Sequence, residues 1–311
     1  MSLKLAQKKR KLTDRRYFFL HLLVIPGVLF YIVFRYVPMS GLVIAFKNYY
    51  GQAGGIRAIW EADWVGFQNF TMFFKSIYFK RVFGNTLIIS VQRILFTFPA
   101  PILLALMINE IRSTAFKRTV QTITYMPYFL SWVVVAGLIK MLLSPDNGVI
   151  NAIRQAMGYA PVFYLSKKSA FRTILVVSEI WKNIGYGSIV YLAAISGVDQ
   201  SQYGAARVDG ATRFQQIIHI TIPAISGIIA VMLIMTVGRV LEDNFDQIYN
   251  LYSPAVYEVA DVFETYIYRV GITNGKFSYT TAVGLFRSVV ALMLIVVTNT
   301  ACKKLGSEGL L

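Results

Sequence analysis

The apolar runs along this chain are far longer than the core helix of a soluble domain requires. Roughly 20 mainly apolar residues cross about 30 Å of hydrocarbon, and windows of that length with few charges fall near 18–40, 82–108, 120–143, 171–197, 217–240 and 280–302. The pattern therefore predicts an all-α, polytopic membrane protein of about six transmembrane helices. The first run follows the basic cluster Lys8, Lys9, Arg10, Lys11, Arg15 and Arg16 and continues through Phe34. Without a convincing small-x-small cleavage site it reads as a retained helix rather than a removed signal. In segment 41–81, Gly51, Gly54 and Gly55 signal turns ahead of an aromatic stretch, Trp60, Trp64, Phe67, Phe70, Phe73 and Phe74, expected at the membrane interface.

Lys and Arg in the short connections set the orientation. The N-terminal cluster, Arg112, Lys117 and Arg118 in segment 109–119, Arg207 and Arg213 in segment 198–216, and Lys303 and Lys304 in the tail all alternate onto the cytosolic side. The longer segments near 41–81, 144–170 and 241–279 fall outside, although Lys167 and Lys168 blur the asymmetry. The division expected is a cytosolic basic N-terminus at 1–17 and a single transmembrane domain at 18–311, with no soluble domain at either end.

Composition supports a membrane setting: 56% of the 311 residues are hydrophobic and 15% charged, with a mean hydropathy of +0.55. The net charge of +16 is read as anchoring toward anionic lipid rather than nucleic-acid binding. A single cysteine, Cys302, excludes an intramolecular disulfide, and two histidines, His21 and His219, make no metal cluster. There is no Gly-x-x-x-x-Gly-Lys-[Ser/Thr] loop, since the nearest string, Gly271 to Phe277, has the wrong spacing. Protease and hydrolase signatures are also missing, so the expected catalytic set is none, the expected metal set is none, and the chain is not expected to be an enzyme.

The clearest signal is segment 202–223. Gly204 to Val208 suits a short helix, Gly210 a turn, and Ala211 to Ile220 a second short helix before Pro223. Small residues allow close approach by another surface, while Arg207, Asp209 and Arg213 offer directional ion pairs; a plain amphipathic hairpin would fit the same composition. Ala205, Ala206, Asp209, Gly210, Ala211, Ile220, Ile222 and Pro223 stand in the register of the signature loop (Glu-Ala-Ala, three residues, Gly, then an Ile-x-Leu-Pro-like ending) of binding-protein-dependent ABC importer permeases, which this segment resembles. Gly204 departs from the pattern, standing where the family has Glu. Tyr125 to Trp132, Ser144 to Gly148 with Asn151, and Asn244 to Tyr249 are similar to the carbohydrate branch of these permeases. Tyr252 to Asp261 and Glu264 to Arg269 look like the sub-branch importing oligosaccharides and polysaccharide fragments in Gram-positive bacteria.

Polar groups in hydrocarbon normally face protein or a watery path. In the fourth span Glu179, Lys182, Asn183 and Tyr186 recur on one helical face that could line a passage. Trp181 lies off that face and would add an aromatic wall if the helix were irregular around Gly185 and Gly187. Aromatic faces and amide or carboxylate groups together suit sugars; an internal Glu179–Lys182 ion pair is the plainer alternative. Arg93 in the second span and Arg287 in the sixth could serve an acidic oligosaccharide or pair with acids of a partner subunit. The resemblance makes Asn244 and Asp246 pathway residues, with helix capping equally open for Asp246.

The resemblance implies a type I ABC importer permease in the cell membrane with both termini cytosolic and a coupling loop at 200–223. Its partners would be a second homologous permease, two ATPase subunits carrying ATP and Mg, an extracellular lipid-anchored binding protein, the sugar and membrane lipid. Ala205, Ala206, Arg207, Asp209, Gly210 and Ala211 would form the ATPase coupling element. The alternative is an ion- or proton-coupled secondary transporter with Glu179 and Lys182 as its relay, although broken helices in matching halves are not evident. An assembly factor without transport is a third.

Overall fold

The computed structural model describes residues 15–51, 55–241 and 245–304, with 15–20 as backbone alone. Asn244, Gly54 and the basic run Lys8 to Lys11 lie outside the described residues. Among those described, no strand forms beyond one antiparallel bridge between Lys47 and Trp64.

Among the described residues, three helices are long and apolar enough to cross a bilayer: His21–Phe46, Ile77–Asn109 and Phe277–Lys304. Two further spans are bent pairs, Thr114–Phe129 with Trp132–Leu142 and Arg213–Ala224 with Ser226–Arg239. The fourth, Lys168–Ser196, is 29 residues long, about 43 Å at 1.5 Å per residue; its charged face keeps its mean hydropathy down. Every apolar run expected from the sequence is thus helical.

Two of these runs are not the straight rods that 120–143 and 217–240 suggested. The third turns by 102°, because Pro127 ends one helix in a 3-10 turn, Leu130 and Ser131 are extended, and the Ser131 hydroxyl caps the next helix at the Val134 N–H. The fifth bends by 64° just beyond Pro223.

Prolines also explain three wide π turns. Ile32–Tyr36 precedes Pro38, Arg93–Thr97 precedes Pro99, and Ile217–Thr221 precedes Pro223. A proline ring clashes with the carbonyl four residues back and offers it no N–H. In each case the residue just before the proline donates instead to the carbonyl five back: Val37 to Ile32, Phe98 to Arg93, Ile222 to Ile217. The helix continues with one extra residue in its turn.

Lipid tails give little hydrophobic force between helices, so close contact relies on small residues. Gly185 in the fourth span lies against the backbone of the third, where an added Cβ would come within 2.0 Å of the Thr124 carbonyl oxygen. Gly187 meets Pro101 of the second span, where a Cβ would stand 3.0 Å from Cγ. The helix is regular through both glycines, so they serve packing, and the irregularity imagined for Trp181 does not occur.

The fourth span is consequently the hub of the bundle. Toward the outside, Phe171 and Leu175 pack with Ile89, Ala136, Ile248 and Val256; toward the cytosol, Tyr191 and Ile195 pack with Ala105, Leu106 and Ile225. A third cluster of Phe73, Val82, Phe263, Tyr266 and Val283 closes the outer end, so Phe73 of the aromatic stretch is core rather than interfacial. The first span instead exposes apolar side chains along its length, as expected of a helix facing lipid or another subunit.

Gly185→Ala should cost about 1–3 kcal/mol through overpacking against backbone, read as a lower midpoint of thermal unfolding of the purified complex in detergent. Gly204→Ala, whose Cβ would meet nothing within 4 Å, should leave that midpoint unchanged or slightly raised.

Candidate functional site

The polar face of the fourth span is divided between two sets of partners. Glu179 forms an ion pair with Arg93, and both side chains are nearly closed off from solvent at 12% and 8% exposure. The wide turn that starts at Arg93 carries this guanidinium toward the fourth span, and its Nη2 also lies 3.5 Å from Gln247 Oε1. Gln247 Nε2 in turn donates to the Leu175 carbonyl (2.7 Å) and the Ser178 hydroxyl (2.9 Å). Second span, fourth span and the short helix Phe245–Leu251 are thereby joined through one buried network.

One turn further, Lys182 donates to the Tyr128 carbonyl at 2.7 Å. That carbonyl lies at the break in the third span, where the interrupted helix leaves acceptors without N–H partners. The ammonium also stands over the Tyr128 and Trp132 rings at 5.1 and 5.6 Å, and Tyr186 stacks on Tyr128 at 3.8 Å. Sequence reasoning placed Glu179, Lys182, Asn183 and Tyr186 on one face correctly. It missed Tyr128, Trp132 and Gln247 as their partners; the Pro127 break was the available signal.

Of the remaining candidates, Asn183 is half-buried while Trp181 and Tyr186 are exposed. Asp246 is exposed in the first turn of Phe245–Leu251. Arg287 pairs with Glu264 of the same chain. Of the alternatives open for Arg93 and Arg287, an acidic saccharide or the acids of a partner subunit, neither is needed to pair them, because each has an acid within reach across its own helix bundle.

The loop at 200–223 is a helical hairpin. Its first helix, Gln200–Val208, begins earlier than expected because Asp199 caps it by accepting from the Ser201 N–H and hydroxyl. Those bonds hold the Asp199 carboxyl below its usual pKa, so the cap is complete at neutral pH and is lost only as pH falls through that lowered value. Gly210 turns the chain at φ +78°, a conformation that disfavours a side chain. Thr212 and Gln215 form a reciprocal capping box for the second helix, Arg213–Gln216.

The hairpin is braced internally and against the bundle. Tyr203 bonds Thr221 at 2.9 Å, Gln216 donates to the Ala211 carbonyl at 2.9 Å, and Arg213 reaches Glu110 at the end of the second span at 3.3 Å. Ala205, Arg207, Asp209 and Gly210 are exposed, with Ala206 and Ala211 half-buried. Val208 at 89% and Phe214 at 70% exposure put apolar side chains outward from a rigid polar loop, a surface suited to a protein partner. His219 is accounted for by a 3.0 Å contact from Nδ1 to the Gln215 carbonyl.

Comparison with known proteins agrees with this geometry. The profile of the family described as "binding-protein-dependent transport system inner membrane component" matches residues 97–301. Protein LplB of Bacillus subtilis (strain 168) is 44% identical over 94% of this chain and 90% of its own length. The polygalacturonan/rhamnogalacturonan transport system permease protein YteP of the same organism is 41% identical over 96% of this chain and 92% of its own. Among solved structures, a chain of a bacterial alginate ABC transporter, in complex with an alginate pentasaccharide-bound periplasmic protein, superposes with a TM-score of 0.87 at 42% identity. That match covers 95% of this chain and 97% of that one.

Arg93→Ala should cost about 3–5 kcal/mol by leaving Glu179 buried without its partner. The double replacement Arg93→Leu with Glu179→Leu should recover most of that loss in a double-mutant cycle of thermal stability.

Proposed function

Because this chain belongs to the binding-protein-dependent transport system inner membrane components, and is thus a multi-pass plasma-membrane permease subunit of an ABC sugar importer, we propose that its cargo is an oligosaccharide or polysaccharide fragment. The relatives named for polygalacturonan, rhamnogalacturonan and alginate support that class of cargo. A binding protein hands the saccharide to an outer mouth built by this subunit and a second, homologous permease. Two ATPase subunits carrying ATP and Mg close and reopen beneath them; this chain holds no nucleotide.

The observation that carries the reading is the braced hairpin around Gly210. A coupling element must move as one piece, so that closure of an ATPase is transmitted rather than absorbed. Its internal bonds and the Arg213–Glu110 link give it that stiffness, and Val208 and Phe214 give it an apolar surface for the ATPase. In this reading Ala205, Ala206, Arg207, Asp209 and Ala211 shape the docking face. Gly204 removes one polar contact a glutamate would make there and leaves Arg207 and Asp209 to act beside the apolar Val208 and Phe214.

For the saccharide, the exposed ring of Tyr186 and the amide of Asn183 line the path, with Asp246 at its outer end; Trp181 lies off that face of the regular helix, and Asn244, outside the described residues, joins the path by resemblance alone. Tyr186 is the strongest of these, since Tyr128, itself held by Lys182, stacks on its ring while the side chain stays exposed. Arg93, Glu179, Lys182 and Arg287 shape the path from behind. An ion-coupled mechanism through Glu179 loses its footing with family membership and with Arg93 on the carboxylate.

Gly210→Pro, which cannot adopt φ +78° and loses the N–H that donates to the Arg207 carbonyl, should break the hairpin turn without touching the membrane bundle, and abolish sugar uptake and the stimulation of ATP hydrolysis by loaded binding protein in proteoliposomes. Normal stimulation in that variant would refute the coupling role.

A further inference from the structure

A cavity of about 670 Å³ is not part of the intramembrane face. It opens at the outer end, between the segment after the first span and the approach to the last. Its volume lies within the range of about 300–1,000 Å³ usual for small-ligand sites.

The walls are built rather than incidental. Tyr49 both donates its N–H to Ser278 Oγ (2.8 Å) and accepts from it at its carbonyl (3.1 Å). Buried Asn69 donates to the carbonyls of Ala45 (2.9 Å) and Lys47 (3.2 Å), and the Asn48 N–H donates to the Asp63 carbonyl at 2.9 Å. On the opposite side, the Tyr266 and Tyr279 hydroxyls bond at 2.9 Å. Gly275, at φ +69°, makes the turn that sets Asn274 and Lys276 on the rim.

The polar groups left over define the chemistry. Among the described residues, the side chains of Asn48, Gln68, Asn274 and Lys276, all lining the cavity, are solvent-accessible and engaged in no hydrogen bond or ion pair. No carboxylate among the described residues lines it. Arg269 on the same wall is bound to the fully buried Asp261 at 2.5 and 3.1 Å, and Arg81 lies 3.7 Å from that same carboxylate. Two guanidiniums thus face one acid, and with Lys276 the cavity lies in a positive field.

Tyrosine faces, free amides and uncompensated cations without acids fit a carboxylated sugar. Pyranose C–H faces stack on rings, hydroxyls bond amides, and the uronate pairs with the ammonium. We propose that this outer cavity is a saccharide subsite selective for uronate-bearing oligosaccharides, receiving the sugar before it enters the membrane path. The inference rests on the importer reading and adds the charge of the cargo and a place where it pauses.

The test uses the assembled transporter in nanodiscs without binding protein, titrated with trigalacturonate and with maltotriose as the neutral control. Trigalacturonate should bind, maltotriose should not, and Lys276→Glu should weaken binding about tenfold. Raising salt from about 50 to about 500 mM should weaken it as well. Gln68→Ala with Asn274→Ala, which removes amides and leaves the charge, should weaken it in parallel. Equal affinity in wild type and Lys276→Glu, or equal affinity for the two trisaccharides, would overturn the subsite. A Lys276→Glu variant that binds trigalacturonate normally but docks the empty binding protein less tightly would also overturn it, in favour of a protein-docking surface. ATP hydrolysis stimulated by loaded binding protein, with no trigalacturonate bound in its absence, would sink the subsite and leave the importer reading intact. Lys276-dependent binding without any stimulation would do the reverse.

Discussion

Burying an arginine and a glutamate inside a membrane bundle is tolerable only if each finds the other, and the Arg93–Glu179 pair does so across the second and fourth spans. Much else depends on that pairing. Gln247 is held against the same guanidinium and ties the short helix Phe245–Leu251 to the carbonyl of Leu175. The outer core of Ile248, Leu251 and Val256 then packs on Phe171 and Leu175. Charge pairing orients the helices, and apolar contact with close glycine packing holds them in place.

The fourth span therefore has two jobs along one face. Its charged turn is spent on internal order, whereas Tyr186 and Asn183, one turn nearer the cytosol, stay partly open. The same helix ends three residues before the coupling hairpin begins. A shift of the hairpin, braced to Glu110 and Thr221, is accordingly delivered to a helix already keyed to its neighbours.

Much of this was legible in the sequence because it is local. Apolar length marks each span, Gly210 between small-residue helices marks the hairpin, and the i, i+3, i+4, i+7 spacing puts Glu179, Lys182, Asn183 and Tyr186 on one face. What was not legible depends on partners far along the chain. Arg93 and Glu179 are 86 residues apart, and no spacing rule selects that pairing over one with another subunit. The 102° turn of the third span follows from Pro127 together with the extended Leu130 and the Ser131 cap, a combination that the apolar length of 120–143 does not reveal. The outer cavity is assembled from segments some 200 residues apart, joined by the Tyr49–Ser278 hydrogen bonds and by ring contacts such as Tyr49–Phe277 and Tyr78–Tyr266, which no local pattern announces.

The wide turn at Arg93–Thr97 has a geometric result beyond relieving Pro99. An extra residue in one turn advances the helix by about 100° without lengthening it by a full turn. The part of the second span beyond Phe98 is therefore rotated relative to the part before it, like two sections of a shaft keyed out of phase. One section points Arg93 at the acid on the fourth span. The other lays Pro101 against Gly187 and Ala105 against the cytosolic core. One unbroken α-helix could satisfy a single such contact direction, and the extra residue lets one span satisfy two.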